Sequence, residues 1–287
     1  MPTNSSQTRH TFARHVAPFA PVALALLMNS VPQNNGVVLP QAAQTESVFA
    51  QSCANPHYPT DNPAIMDSTS CGISGNGGAE TWQNEAKNNF CAPDPAKPIT
   101  IAEMVQLQAK VQQDGSIPFG NSRQHPLTSK AGPAKDRSPL VALGEGSQVV
   151  LIGYVSIARQ EGAESVNCGS NVPNDPDHHD IHISIVQNQS DTECSGVVVE
   201  MTPHHRPEEW TQTNVEEVAT AHLIVRVTGQ LMFDSSHSPC VNGTSASGDP
   251  KRASLWEVHP IYKFEVCPEG TCSSGSGWLP LEAWIKK

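Results

Sequence analysis

Aromatic side chains are scarce in this 287-residue chain, at 5% of positions, and its 17 Lys and Arg are outnumbered by 28 Asp and Glu, a formal net charge of −11. Affinity for nucleic acid comes from cations that neutralise phosphates, so this balance argues against a nucleic-acid partner and against anionic membrane surfaces. No apolar run approaches the roughly 20 residues that a membrane-spanning helix needs, so no transmembrane segment is expected in the mature chain. No C-x-x-C pair is present, which argues against a thiolate zinc site. H-E-x-x-H, G-x-S-x-G, phosphate-binding loop and dinucleotide fingerprints are missing too, and no segment repeats.

What is present begins with Arg9 and Arg14, followed by the short apolar run VAPFAPVALALLM over residues 16–28. That arrangement reads as a secretory signal within a leader of residues 1–50, and Val48-Phe-Ala50 fits a small-x-small cleavage pattern. The expected location is therefore secreted or periplasmic. All 8 cysteines follow the leader. An even number in an exported chain reads as a set of disulfides, with the pairing open; Cys267 and Cys272 need not pair although they are neighbours. With Pro 24 and Gly 20 and a mean hydropathy of −0.35, the composition suits a compact core carrying long irregular segments.

Residues 51–139 read as an irregular, cysteine-containing arm, because the Asn, Gly, Pro and Ser of 52–89 offer little to bury against the entropy of ordering them. Inside the arm, Thr100-Ile-Ala-Glu103 is a capping box that predicts a helix over 100–113, and 115–138 reads as a loop. From 140 to 287 the pattern turns to strands, at 149–158, 180–186, 196–201, 223–233 and 254–266. A helix starting at Asn214-Val-Glu-Glu217 falls between the third and fourth. Three strands, a helix and two strands predict a mainly β fold, a five-stranded OB-like Greek-key barrel; a β-sandwich and other small barrels compete. Gly153 and Gly229 suit the bends of a small barrel. The insert at 166–179 is expected as a long first loop, and 277–284 as a short amphipathic helix in the C-terminal tail.

Seven ionisable residues sit in or at the ends of these strands: Asp180, His182, Glu200, Asp234, His237, Glu257 and His259. Along 253–267, Trp256 and Val258 point to one side and Glu257 and His259 to the other, and Asp180 and His182 likewise oppose Ile181 and Ile183. Imidazole with carboxylate is the ligand set of zinc, manganese or iron, and also the set for acid and base chemistry. Asp180, His182, Asp234, His237 and His259 are therefore candidate ligands for a divalent metal, and Glu200 and Glu257 candidate general bases. The competing reading places the same residues on the wet outer side of a barrel, solvated or bonded across strands. His178, His179, His204 and His205 flank strand ends and read as solvent-facing loop histidines.

Asp180-Ile-His182-Ile, Val199-Glu200, Val225-Arg-Val-Thr-Gly229, Phe233-Asp234-x-x-His237 and Glu257-Val-His259-Pro260 together resemble a group of predicted secreted bacterial proteins. The corresponding segments there read D-x-D-x-H-L, A-E, V-T-G, F-F-D-x-x-H and E-L-H-P. The resemblance spans 149–266, leaves out the arm, and implies that these strands form one domain; it carries no activity with it. His178 stands where that pattern has its first acid, which weakens a carboxylate-rich metal site at the start of that strand.

Three functions follow as expectations. The first is a secreted, disulfide-stabilised OB-like binding module for an extracellular or envelope ligand, such as a polysaccharide or peptide. The second is a metal-dependent hydrolase built on the His, Asp and Glu face, and the third a structural envelope protein. Whether the suspected side chains meet in space separates them.

Overall fold

β-Branched residues spaced two apart commit the second half of the chain to strands, and in the computed structural model these strands close on one another. It describes residues 53–59, 81–114, 137–161, 179–240, 248–273 and 275–287, all within the unit Thr45–Lys287. The leader 1–50 with its cleavage pattern, Cys71, Cys168, His178 and most of the 115–138 loop and 166–179 insert lie outside those residues.

The elements of the arm are α1 (Thr81–Lys87), β1 (Lys97–Ile99) and α2 (Ile101–Gln113); after them come α3 (Ser138–Ala142), β2 (Gln148–Gln160), β3 (Ile181–Val186) and β4 (Val197–Met201). Then follow α4 (Gln212–Thr220), β5 (Ile224–Phe233), β6 (Trp256–Cys267), β7 (Leu279–Pro280) and α5 (Leu281–Ile285). Pairing runs β2-β3-β4-β6-β5, and β5 returns to β2, which closes a five-stranded barrel. With α4 between its third and fourth strands, this is the expected OB-like arrangement. β4 and β6 run parallel, whereas β2–β3, β2–β5, β3–β4 and β5–β6 are antiparallel.

Closure requires β2 to serve two partners. Its first half pairs with β5 and its second half with β3, the exchange falling at Gly153 and Tyr154. A Cβ on Gly153 would stand 2.6 Å from both Ile185 Cγ2 and the Val186 carbonyl, so only glycine lets the strands approach there. Gly229 fills the same role where the β5–β6 register shifts; a Cβ on it would meet the Pro260 carbonyl and sit 2.7 Å from Val258 Cγ1.

The barrel interior is filled by buried Leu151, Ile183, Val199, Val227, Phe233, Trp256, Val258 and Phe264, with Met104 of α2 and Val215 and Val218 of α4 continuing the same core. Each such side chain contributes about 1.5–3 kcal/mol when buried. The Thr100–Glu103 capping box is present at the start of α2.

Local detail departs from expectation in three places. The N-cap of α4 is Thr211, whose side chain accepts from the Asn214 amide, so the helix begins before the expected Asn214. The tail forms β7 against β6 before α5, because pairing with the exposed edge of β6 satisfies backbone groups that a helix from 277 would leave open. The arm is not irregular throughout: Thr81–Lys87 is helical without a sequence signal, because a helix this short is held by the face it packs on rather than by propensity. Disulfides join Cys53 to Cys91, Cys194 to Cys240 and Cys267 to Cys272, so the last two neighbours do pair.

Candidate metal centre

Pleating sends Ile181, Ile183 and Val199 into the barrel, which leaves His182 and Glu200 on its outer side. Those two lie directly opposite each other in the β3–β4 ladder. Val199 pairs with Val258 on β6, and the same alternation brings Glu257 and His259 next to Glu200. Asp180, immediately before β3, completes the group. Asp180, His182, Glu200, Glu257 and His259 all have 0% exposure, which overturns the reading of a wet outer face.

The cover comes from the arm and from the segment before β6. On α1, Gln83 Nε2 donates to Asp234 Oδ1 at 3.1 Å and Gln83 Oε1 accepts from the Ser235 hydroxyl at 2.6 Å. Ala86 packs on Met232, its carbonyl accepts from Gln230 Nε2 at 2.6 Å, and Lys87 Nζ reaches to 4.0 Å of Glu200 Oε2. From the other side, Arg252 pairs with both Glu257 and Asp234. The centre is thus a polar layer enclosed between the outside of a barrel and a short helix.

Within it, His182 Nε2 lies 3.3 Å from Asp180 Oδ2 and 3.3 Å from Glu200 Oε2. Its other nitrogen, Nδ1, faces the Asp249 carbonyl at 3.4 Å and Glu161 Oε1 at 3.6 Å. His259 Nδ1 stands 2.6 Å from Glu200 Oε2 and 3.7 Å from Glu257 Oε2. Proximity does not become hydrogen bonding: both oxygens of Glu200, both ring nitrogens of His259 and Oε2 of Glu257 are buried without an aligned hydrogen bond. A buried polar atom left in that state costs about 1–3 kcal/mol, more if charged.

The charges interact strongly. Burial pushes the Glu257 carboxyl up to about 7, helped by the neighbouring Glu200 charge against the pull of Arg252. Burial also opposes ionisation of Glu200, but His182, His259 and Lys87 outweigh it and hold this carboxyl well below the usual range. For His182, burial disfavours the imidazolium, and the Glu200 and Asp180 carboxylates overcome it to hold its pKa well above the ordinary value. His259 is raised in the same way, chiefly by Glu200.

Asp234 and His237 form a separate pair. His237 Nδ1 contacts Asp234 Oδ2, and Arg252 Nη1 reaches that oxygen at 3.4 Å, so this pair joins the five-residue cluster through Arg252. Phe233 sets its position: the Phe233 amide donates to Glu145 Oε1 at 2.9 Å and its carbonyl accepts from Arg137 at 2.6 Å, while Arg137 and Glu145 form a buried ion pair. His179 and His204 are buried near the strand ends, and His205 stacks on Tyr58 at 3.5 Å; these three stay out of the cluster, and the first two are not solvent-facing as expected.

Arg252, Lys87, Gln83 and Glu161 are participants that sequence reasoning missed. Arg252 lies five residues before Glu257, a spacing without a motif, and Lys87 and Gln83 sit in a segment with no periodicity. Comparison with family models and with curated proteins gives no match to the chain.

Proposed function

We propose that the protein is a divalent-metal-binding barrel and that the ion serves hydrolysis as a Lewis acid. One observation carries this reading: buried His, Asp and Glu ligand atoms gather within 4.8 Å of one another around Glu200, and neither Glu200 nor His259 forms an aligned hydrogen bond. Groups that face one another closely at the wrong angle for a hydrogen bond suit a shared cation. Nitrogen and oxygen ligands together fit zinc, manganese or iron. Three protein ligands leave a position for water, whose pKa a bound ion lowers enough to make a nucleophile near neutral pH. The disulfides among the described residues and the basic, apolar leader support a secreted or periplasmic site of action.

Metal analysis of tag-free protein tests the first half. Stoichiometric zinc, manganese or iron is expected, with loss of metal on Glu200→Gln; wild-type protein that takes up none of them sinks the reading. For the second half, metal-loaded protein is assayed on nitrophenyl esters and phosphodiesters. Turnover that disappears with chelator is expected, and full metal occupancy without turnover on any substrate assigns the ion to the fold.

A second reading, an extracellular binding module, draws on a cleft of about 840 Å³ on another part of the surface. Tyr58, Ile152, Gln187 and Arg226 are among its lining residues, and Ile152 is a strand residue left 48% exposed. Saturable binding on a glycan or peptide array that Ile152→Asp weakens supports this reading, and an array without a hit removes it.

A further inference from the structure

We infer that the cluster takes two divalent ions, with the Glu200 carboxylate bridging them. This rests on the metal reading above and goes beyond it in the number of ions and the role of each side chain.

The ligand atoms divide into two sets, Asp180 with His182 and Glu200, and Glu200 with Glu257 and His259; within each set they lie within 4.8 Å of one another, and Glu200 belongs to both. Bonds from a transition metal to imidazole or carboxylate are about 2.0–2.2 Å, so two ligands of one ion stand at most about 4.4 Å apart. Five ligands that separate into two sets at 4.8 Å do not fit one coordination shell, whereas two shells sharing a carboxylate do.

Spacing inside the first set fits a shell of its own. His182 Nε2 is 3.3 Å from each of its carboxylate partners, and neighbouring ligands of a tetrahedral ion stand about 3.3–3.6 Å apart with such bonds. The Asp180 and Glu200 carboxylates face Nε2, while the Asp249 carbonyl, 3.4 Å from Nδ1, offers an acceptor for a hydrogen on that nitrogen. A second acceptor of this kind fixes the tautomer of a metal-bound histidine and turns its lone pair toward the ion.

The second set is oriented from outside in the same manner. Arg252 occupies Oε1 of Glu257, which leaves Oε2 on the side of His259 Nδ1 at 3.7 Å. Glu200 Oε2 is shared by the two sets, 3.3 Å from His182 Nε2 and 2.6 Å from His259 Nδ1. A carboxylate bridges two ions through one oxygen or through both, and neither oxygen of Glu200 is taken up by a hydrogen bond. Ions held this way stand about 3.5–4 Å apart, the separation of two-metal hydrolytic sites, where they clamp the attacking and leaving oxygens.

The test uses the full chain as purified, stripped with chelator and reloaded with Mn(II) or Zn(II). Native mass spectrometry should give two ions per chain, and the Mn(II) form should show the exchange-coupled electron paramagnetic resonance signal of two close ions. His182→Ala and His259→Ala should each retain one ion, and Glu200→Gln should abolish the coupling. One ion per wild-type chain, or two without coupling, overturns the bridged pair and leaves the metal reading standing. No ion at all overturns both. The wild-type measurements decide the matter even if a variant fails to fold.

Discussion

Asp234 shows how much the charges of this protein depend on their neighbours. Burial alone would keep it protonated, but His237, Lys87 and Arg252 hold its carboxyl well below the usual range. A carboxyl with a lowered folded-state pKa contributes stability above the unfolded value, and that stability is lost as pH falls through the folded one. Urea unfolding of Asp234→Asn should therefore show a flatter decline below about pH 4 than the parent, together with lower stability at neutral pH. Arg252 has the complementary part, since it faces Asp234 and Glu257 with no exposure of its own. Arg252→Met should cost about 3–5 kcal/mol in chemical denaturation, because it strips the cation from buried carboxylates. If the loss is below about 1 kcal/mol, Arg252 is not what offsets the burial of these carboxyls.

At the scale of elements, α1 and the barrel depend on each other. Its seven residues are too few to stand as a helix alone, and the outer face of β4, β5 and β6 needs the cover that Gln83, Ala86 and Lys87 provide. Gln83→Ala removes partners from both Asp234 and Ser235 and should cost about 1–3 kcal/mol. Hydrogen exchange should also become faster across 81–89 while β2 and β3 stay protected. Exchange that quickens evenly over the whole barrel would mean that α1 is no separate cover. Within the barrel, Gly229→Ala forces a methyl against the Pro260 carbonyl and Val258 and should lower stability by about 1–3 kcal/mol in thermal unfolding, with the largest amide shifts near the β5–β6 bulge.

For the molecule as a whole, the proposed metal would add to the stability that the disulfides contribute. A ligand that binds only the folded state adds about 4 kcal/mol when present at a thousand times its dissociation constant, so chelator should lower the melting temperature and added Zn(II) or Mn(II) restore it. An unchanged melting temperature after complete stripping would show that the ion contributes nothing to folding. The barrel strands and their inward residues were legible in the sequence, because alternation along a strand is local and Ile181, Ile183, Trp256 and Val258 carry it without reference to anything distant. The same alternation set Asp180 with His182, and Glu257 with His259, on faces opposite the apolar residues of their strands. It could not say that these faces meet or that they are dry, since the meeting is set by strand pairing and the cover comes from α1, more than a hundred residues before β4 in a segment without pattern. Nor could it separate Asp234 and His237 from the other five, or supply Arg252 as the link between them. By itself the sequence determined strand parity and the succession of barrel strands and helix along the chain, which follow from backbone geometry and neighbouring side chains. Only the tertiary structure decided which charges share a buried space and in what sets, because burial and charge coupling depend on distances between strands and arm that no local spacing contains.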